Sequence, residues 1–211
     1  MNAPFSPPLP ACKRCGRCCE SGGPALHVED LTLVAAGVIA RAHLVTLRAG
    51  ELAHENVAGK LAPLDRELVK IAGVQGLYAC QFHDATARAC RIHENRPAEC
   101  RALSCEDTSR ITDMYREDRL TRADLVGTGG GLWELIAFHD QAFAAGAAMN
   151  LAREASRGGR VALHTLRELA RSEDSFRQSF QLKTGISPEE LDFYFGRSLA
   201  RICSPFGVTF P

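Results

Sequence analysis

Four cysteines fall within eight residues near the start of the chain: Cys12, Cys15, Cys18 and Cys19, in the string CKRCGRCC. A second group, Cys80, Cys90, Cys100 and Cys105, is spread more widely, and Cys203 stands alone near the end of the 211 residues. Cysteines separated by two residues let one turn aim both sulfurs at one ion, which is why the spacing recurs in zinc and iron–sulfur sites. Four plus four thiolates suit two tetrahedral sites, or one cluster with bridging sulfurs. Neighbouring residues in extended chain point opposite ways. Cys18 and Cys19 are therefore expected to serve different metals, or to divide ligation from redox chemistry. The first group alone does not then close a four-sulfur site, and the two groups are expected to meet in space. Metal binding would pin the N-terminal loop to the rest of the domain and contribute to folding.

The remaining composition narrows the setting. Residues 1–11, MNAPFSPPLPA, hold four prolines, no positive charge and no apolar core of a signal peptide. They read as an extended tail, and the chain as cytoplasmic, where thiols stay reduced and clustered cysteines are metal ligands or redox groups more often than disulfides. Lysines and arginines balance aspartates and glutamates, 25 against 25, so no global field draws in nucleic acid. No apolar run reaches the ~20 residues of a membrane span. The expected partner is a metal ion, with neither nucleic acid nor membrane; a protein partner and the oligomeric state stay open.

Along the chain the character changes from cysteine-rich to helical. Residues 29–36 open with acids, as a helix start does. Residues 41–49 and 61–71 carry short apolar patterning. Residues 77–82 and 89–92 read as two short strands around His83-Asp84-Ala85-Thr86. Pro97 excludes a continuous helix across residues 94–100 and biases Arg96 to extended geometry. Residues 107–118 and 121–126 read as helices. The string Gly127-Thr128-Gly129-Gly130-Gly131 reads as a flexible connection: it lacks the preceding strand of a nucleotide loop and the Gly-Lys-Ser/Thr of a P-loop. Residues 132–156 give the longest helical pattern and 161–180 another. Ser187-Pro188-Glu189-Glu190 starts a last helix that should run to about Leu199. The expected fold is mainly α, with a small cysteine-rich metal-binding region containing short β-hairpins. The expected division is a tail over 1–11, a cysteine-cluster domain over 12–126 and a helical region over 132–211 packing on it.

Charge around the cysteines fits anionic sulfur. An all-thiolate zinc site, or an oxidised four-iron cluster with four thiolates, carries two net negative charges and needs nearby donors. Lys13, Arg14 and Arg17 flank the first group, and Arg88, Arg91, Arg96 and Arg101 the second. The spacing speaks against a bacterial ferredoxin, because there the fourth cysteine follows after three residues and precedes proline, whereas Cys19 follows Cys18 directly and Glu20 comes next.

CKRCGRCC followed by CRIHENRPAECR resembles the cysteine-cluster family with the pattern CxxCxxCC, the YkgJ-like zinc- or iron-chelating domains. The match runs through Cys12, Cys15, Gly16, Cys18, Cys19, Cys80, Cys90, Ile92, Arg96, Pro97, Cys100 and Arg101. It departs at His93, where the family pattern carries tyrosine; histidine keeps an aromatic ring and adds a nitrogen capable of ligation. The resemblance covers roughly residues 12–105 and implies metal chelation, with zinc or an iron–sulfur cluster as the group held. Larger relatives, the flagellin lysine N-methylases, carry the cluster beside further sequence that has no counterpart here.

The expected metal ligands are Cys12, Cys15, Cys18, Cys19, Cys80, Cys90, Cys100 and Cys105. Arg96 and Arg101 are expected to support them, with Pro97 shaping the turn that presents Cys100. His83 and His93 read as polar supports in preference to ligands, His139-Asp140 as solvated surface, and Cys203 as a small hydrophobe. The small residues around Gly146 read as a close helix-packing face. Three functions compete: a metal-chelating module without catalysis, a cluster-dependent enzyme modifying a protein substrate, and a thiol redox sensor built on Cys18 and Cys19. No catalytic residue is identifiable.

Overall fold

The apolar patches at residues 41–49 and 61–71 contain short strands whose residues are largely buried. Strand β1 (Leu44–Leu47) pairs antiparallel with β4 (Leu68–Ile71), with Leu44 opposite Ile71 and Leu47 opposite Leu68. Between them β2 (Leu52–Glu55) pairs with β3 (Lys60–Pro63). A third pair, β5 (His83–Asp84) with β6 (Ala89–Cys90), sits among the cysteines. That hairpin surrounds a turn close to the expected one, but its first strand is His83–Asp84, not residues 77–82. The computed structural model describes residues 12–74 and 77–210, so the tail expected over 1–11 lies outside the described residues.

Helices make up the rest, and the fold is mainly α with short β-hairpins. The cysteine half carries α1 (Arg17–Glu20), α2 (Leu31–Ala35), α3 (Ala98–Ala102), α4 (Ser109–Met114) and α5 (Arg122–Val126). After the glycine string come α6 (Gly131–Ala142), α7 (Ala145–Ala155), α8 (Arg160–Thr184), α9 (Pro188–Tyr194) and α10 (Leu199–Cys203). No helix among the described residues is long and apolar enough to cross a membrane.

Two helical expectations are corrected. Residues 132–156 are not one helix: the chain breaks at Phe143 and Ala144. There the Phe143 carbonyl accepts a hydrogen bond from the buried Arg48 guanidinium at 2.8 Å. Gly146 also lies so close to Gly50 that a Cβ on Gly50 would stand 2.9 Å from its Cα. The small-residue face thus packs inside the chain, with Ala145, Ala148 and Ala152 buried. The last helix stops at Tyr194, short of Leu199. Side chains from α8 capture the backbone beyond it: Arg177 donates to the Gly196 carbonyl at 2.6 Å, and Glu173 accepts from the Leu199 N–H at 2.6 Å. Ser187 caps α9 as its sequence indicates, accepting from the Glu190 N–H.

One apolar cluster draws on both halves of the chain, joining Leu26, Val69, Phe82 and Leu120 to Ile136, Phe180, Phe193 and Phe195. A second packs Ala148, Met149 and Ala152 of α7 against Leu166, Leu199 and Ile202, and Cys203 is buried in it as a small hydrophobe. The helix α8 buries Ala162, Leu166, Ala170, Glu173, Arg177 and Phe180. This is the three- and four-residue stripe of an inward face, with two charges in it.

Those charges belong to a buried network. His139, expected at the surface, is fully buried among Phe143, Phe176 and Phe195, and its Nε2 meets Glu173 at 3.1 Å. Its neighbour Asp140 pairs with Arg122 of α5. Burial pushes the Glu173 carboxyl up, but the His139 hydrogen bond, the Arg177 charge and the Leu199 N–H outweigh it and hold it below 4.5. Asp140 behaves alike: burial raises it, and His139 and Arg122 bring it below 3.8. Carboxyls lowered in the folded state contribute stability above their unfolded values and lose it as pH falls through the folded ones. Stability is therefore expected to decline as pH falls below 4.5. Urea midpoints measured against pH should show it, and Glu173→Gln should be less stable at neutral pH with a flatter acid limb.

Candidate metal centre

Gly16 sits between the first two and the last two cysteines of the N-terminal group, with φ +80°. A Cβ there would stand 2.9 Å from His83 Nε2. Both the left-handed backbone and the close approach call for glycine. The turn lets the chain enter α1, which carries Cys18 and Cys19. Their sulfurs are 4.0 Å apart, close to the roughly 3.8 Å edge of a tetrahedral zinc–thiolate site with ~2.3 Å bonds. The expectation that these two cysteines point apart is corrected: it assumed extended chain, and a helical turn swings both sulfurs to one side. Gly16→Ala is expected to cost about 1–2 kcal/mol for the left-handed backbone alone, read as a lower thermal midpoint.

The two cysteine groups meet. The Cys80 N–H donates to the Cys19 carbonyl at 2.7 Å. Cys90 lies in β6, opposite His83 of β5. Pro97 caps α3, with Arg96 before it in extended geometry, and Cys100 follows on that helix. Cys12, Cys15, Cys18, Cys19, Cys80, Cys90, Cys100 and Cys105 all line one cavity of about 1100 Å³. All nine cysteines are free thiols, and Cys12, Cys18 and Cys105 are exposed. Among the described residues, no three His, Cys, Asp or Glu side chains form a ready-made group that could hold a metal ion. The sulfurs share the cavity without yet forming a closed coordination sphere.

Burial and mutual crowding govern the inner sulfurs. Burial, then the Cys18 charge and hydrogen bond, then Cys80 and Cys90, push the Cys19 thiol up to about 12. Burial raises Cys80 and Cys100 as well, and Cys100 is further raised by Cys80, Cys19, Cys18 and Cys90. Burial first, and neighbouring sulfurs second, thus disfavour the thiolate at Cys19, Cys80 and Cys100. A cation bound among them would offset both effects. This donor set fits a soft or borderline metal, the ions that thiolates select.

The supporting residues are partly those expected. Arg96 donates to the His93 and Cys100 carbonyls, and Arg101 pairs with Glu29 and donates to the Arg96 carbonyl. These contacts hold the backbone of the cysteine loop. Three supports were missed. Glu99, next to Cys100, accepts from the Ala25 N–H at 2.8 Å and meets His27 at 3.4 Å. Asp30, fully buried, accepts from the N–H groups of His27 and Ala98. Together these carboxylates tie α3 to the segment that follows Cys19. Lys70 lines the cavity, and its charge lowers Cys80 against the effect of burial. A carboxylate beside an expected ligand was a usable signal for Glu99; Lys70 and Asp30 carry none in sequence.

The fold is mainly helical, and eight free cysteines line one cavity of it. Residues 11–118, just over half of the chain, match the family model CxxCxxCC, described as "Putative zinc- or iron-chelating domain", and the chain belongs to that family. Neither curated proteins nor solved structures gave a match to the chain.

Proposed function

We propose that this protein chelates zinc, or iron in an iron–sulfur cluster, through Cys12, Cys15, Cys18, Cys19, Cys80, Cys90, Cys100 and Cys105. The observation that carries the reading is that these eight cysteines, from two distant stretches of sequence, line a single cavity. The 4.0 Å separation of the Cys18 and Cys19 sulfurs lets both serve one ion. Arg96 and Arg101 hold the loop that presents Cys90 and Cys100, and Lys70 offsets thiolate charge. The bound metal closes the N-terminal loop onto β6 and α3, so that chelation and folding of this half are coupled. A redox sensor built on Cys18 and Cys19 is less well supported, because reactive sensor thiols have lowered pKa values and Cys19 is pushed up to about 12.

Alkylation followed by mass spectrometry at each cysteine tests the ligand set. After chelator treatment, the exposed Cys12, Cys18 and Cys105 should react first. In metal-loaded protein all eight should be protected, while the buried Cys203 is slow in both states. Equal labelling of Cys12, Cys18 and Cys105 with and without metal would contradict the proposal.

A further inference from the structure

We propose that His93 supplies a nitrogen ligand to the metal in the cysteine cavity, giving it mixed sulfur and nitrogen coordination. The inference rests on the chelation reading above. His93 opens the short 3-10 turn His93–Asn95, between Cys90 and Cys100, and lines the cavity. Two groups stand at its Nδ1: Glu94 Oε1 at 3.0 Å and Arg14 Nη2 at 3.2 Å. A guanidinium can only donate, and Arg14 has Glu94 Oε1 as an acceptor of its own at 3.3 Å. The nearer carboxylate therefore accepts a hydrogen bond from Nδ1–H, and Arg14 braces the carboxylate.

That tautomer leaves a lone pair on Nε2. The Nε2 atom is buried and has no hydrogen-bond partner, although Glu94 at the opposite edge of the ring is exposed. A buried acceptor without a donor is the environment of a ligand atom and a costly one for anything else. Metal-bound imidazoles almost always donate their other N–H to a carboxylate, carbonyl or water, which fixes the tautomer and the ring. Glu94 already does this for His93. The contrast is His83: its Nε2 is also buried without a partner, but it packs against the Gly16 backbone and does not line the cavity.

The consequence is a change of charge and of geometry. A neutral imidazole joins the thiolates without adding negative charge, and puts a nitrogen at ~2.0–2.1 Å among sulfurs at ~2.3 Å. The test compares wild type, His93→Tyr and His83→Gln, prepared without oxygen, stripped by chelator and loaded with Zn²⁺ alone. His93→Tyr keeps an aromatic ring, so circular dichroism should report an unchanged fold. X-ray absorption at the zinc edge is expected to show one imidazole in wild type. His93→Tyr should lose that signal and bind Zn²⁺ at least about ten-fold more weakly, by the scale of tuned metal sites, while His83→Gln keeps the signal. Sulfur-only coordination in zinc-loaded wild type, or an imidazole that survives His93→Tyr, overturns the assignment and leaves chelation standing. Failure of wild type to take up zinc overturns the assignment; failure to take up iron and sulfide as well overturns the chelation reading with it.

Discussion

Cys100→Ser is expected to weaken metal binding by more than about 100-fold, since loss of groups that merely orient a ligand already costs about 10–100-fold. Cys100 lies on α3 three residues after the Pro97 cap, and its thiol is raised by burial and by four neighbouring cysteines. A serine hydroxyl there supplies neither a thiolate nor a soft donor. Cys203→Ala is the matched control. Cys203 is fully buried in the second apolar cluster, away from the cysteine cavity. Its loss should lower stability while leaving metal content unchanged. Competition titration against a chromogenic chelator reads both variants on one scale. Equal metal affinity in Cys100→Ser and wild type would remove Cys100 from the ligand set.

Arg122→Ala is expected to give the largest loss of stability, about 3–5 kcal/mol, the cost of breaking a buried ion pair from one side. Arg122 is 1% exposed. Its Nε donates to Glu67 at 2.8 Å, its Nη1 to the Tyr194 carbonyl at 2.8 Å, and its Nη2 to Glu67 and Asp140. Those partners come from the segment before β4, from α6 and from α9, so one guanidinium joins the cysteine half to the helical half. Removing it leaves two carboxylates partly buried without their cation. Arg122→Lys should recover only part of the loss, because an ammonium cannot reproduce the planar fork. Urea unfolding followed by circular dichroism measures both. A loss below about 1 kcal/mol, the scale of an exposed ion pair, would show that the network does not hold the halves together.

What could be read from sequence was local or compositional. The paired cysteines and Gly16 marked the chelating segment. Pro97 set Arg96 extended, though the short helix α3 after it was not foreseen, and Ser187-Pro188 marked the start of α9. What escaped depends on partners far along the chain. The break at Phe143 follows from Arg48, and the end of α9 from Glu173 and Arg177; no local pattern announces either. His139-Asp140 looked solvated because adjacent polar residues usually are, yet the network that receives them is spread from Glu67 to Asp192. The strands β1 to β4 are four residues each, too short for alternation to separate strand from helix. Cys18 and Cys19 were misjudged because their spacing says nothing about backbone conformation, and one helical turn reverses the geometry of an extended pair.

The most direct measurement is the metal content of protein purified without oxygen: zinc, iron and acid-labile sulfide per chain, with the visible spectrum. The account predicts at least one tightly held metal per chain, released when the thiols are alkylated. Iron with sulfide and a broad band near about 400 nm would mark a thiolate-bound cluster; colourless protein holding zinc would mark closed thiolate coordination. Protein that holds neither metal, takes up neither when they are supplied, and leaves the eight clustered thiols as free to react with metal as without it would contradict it.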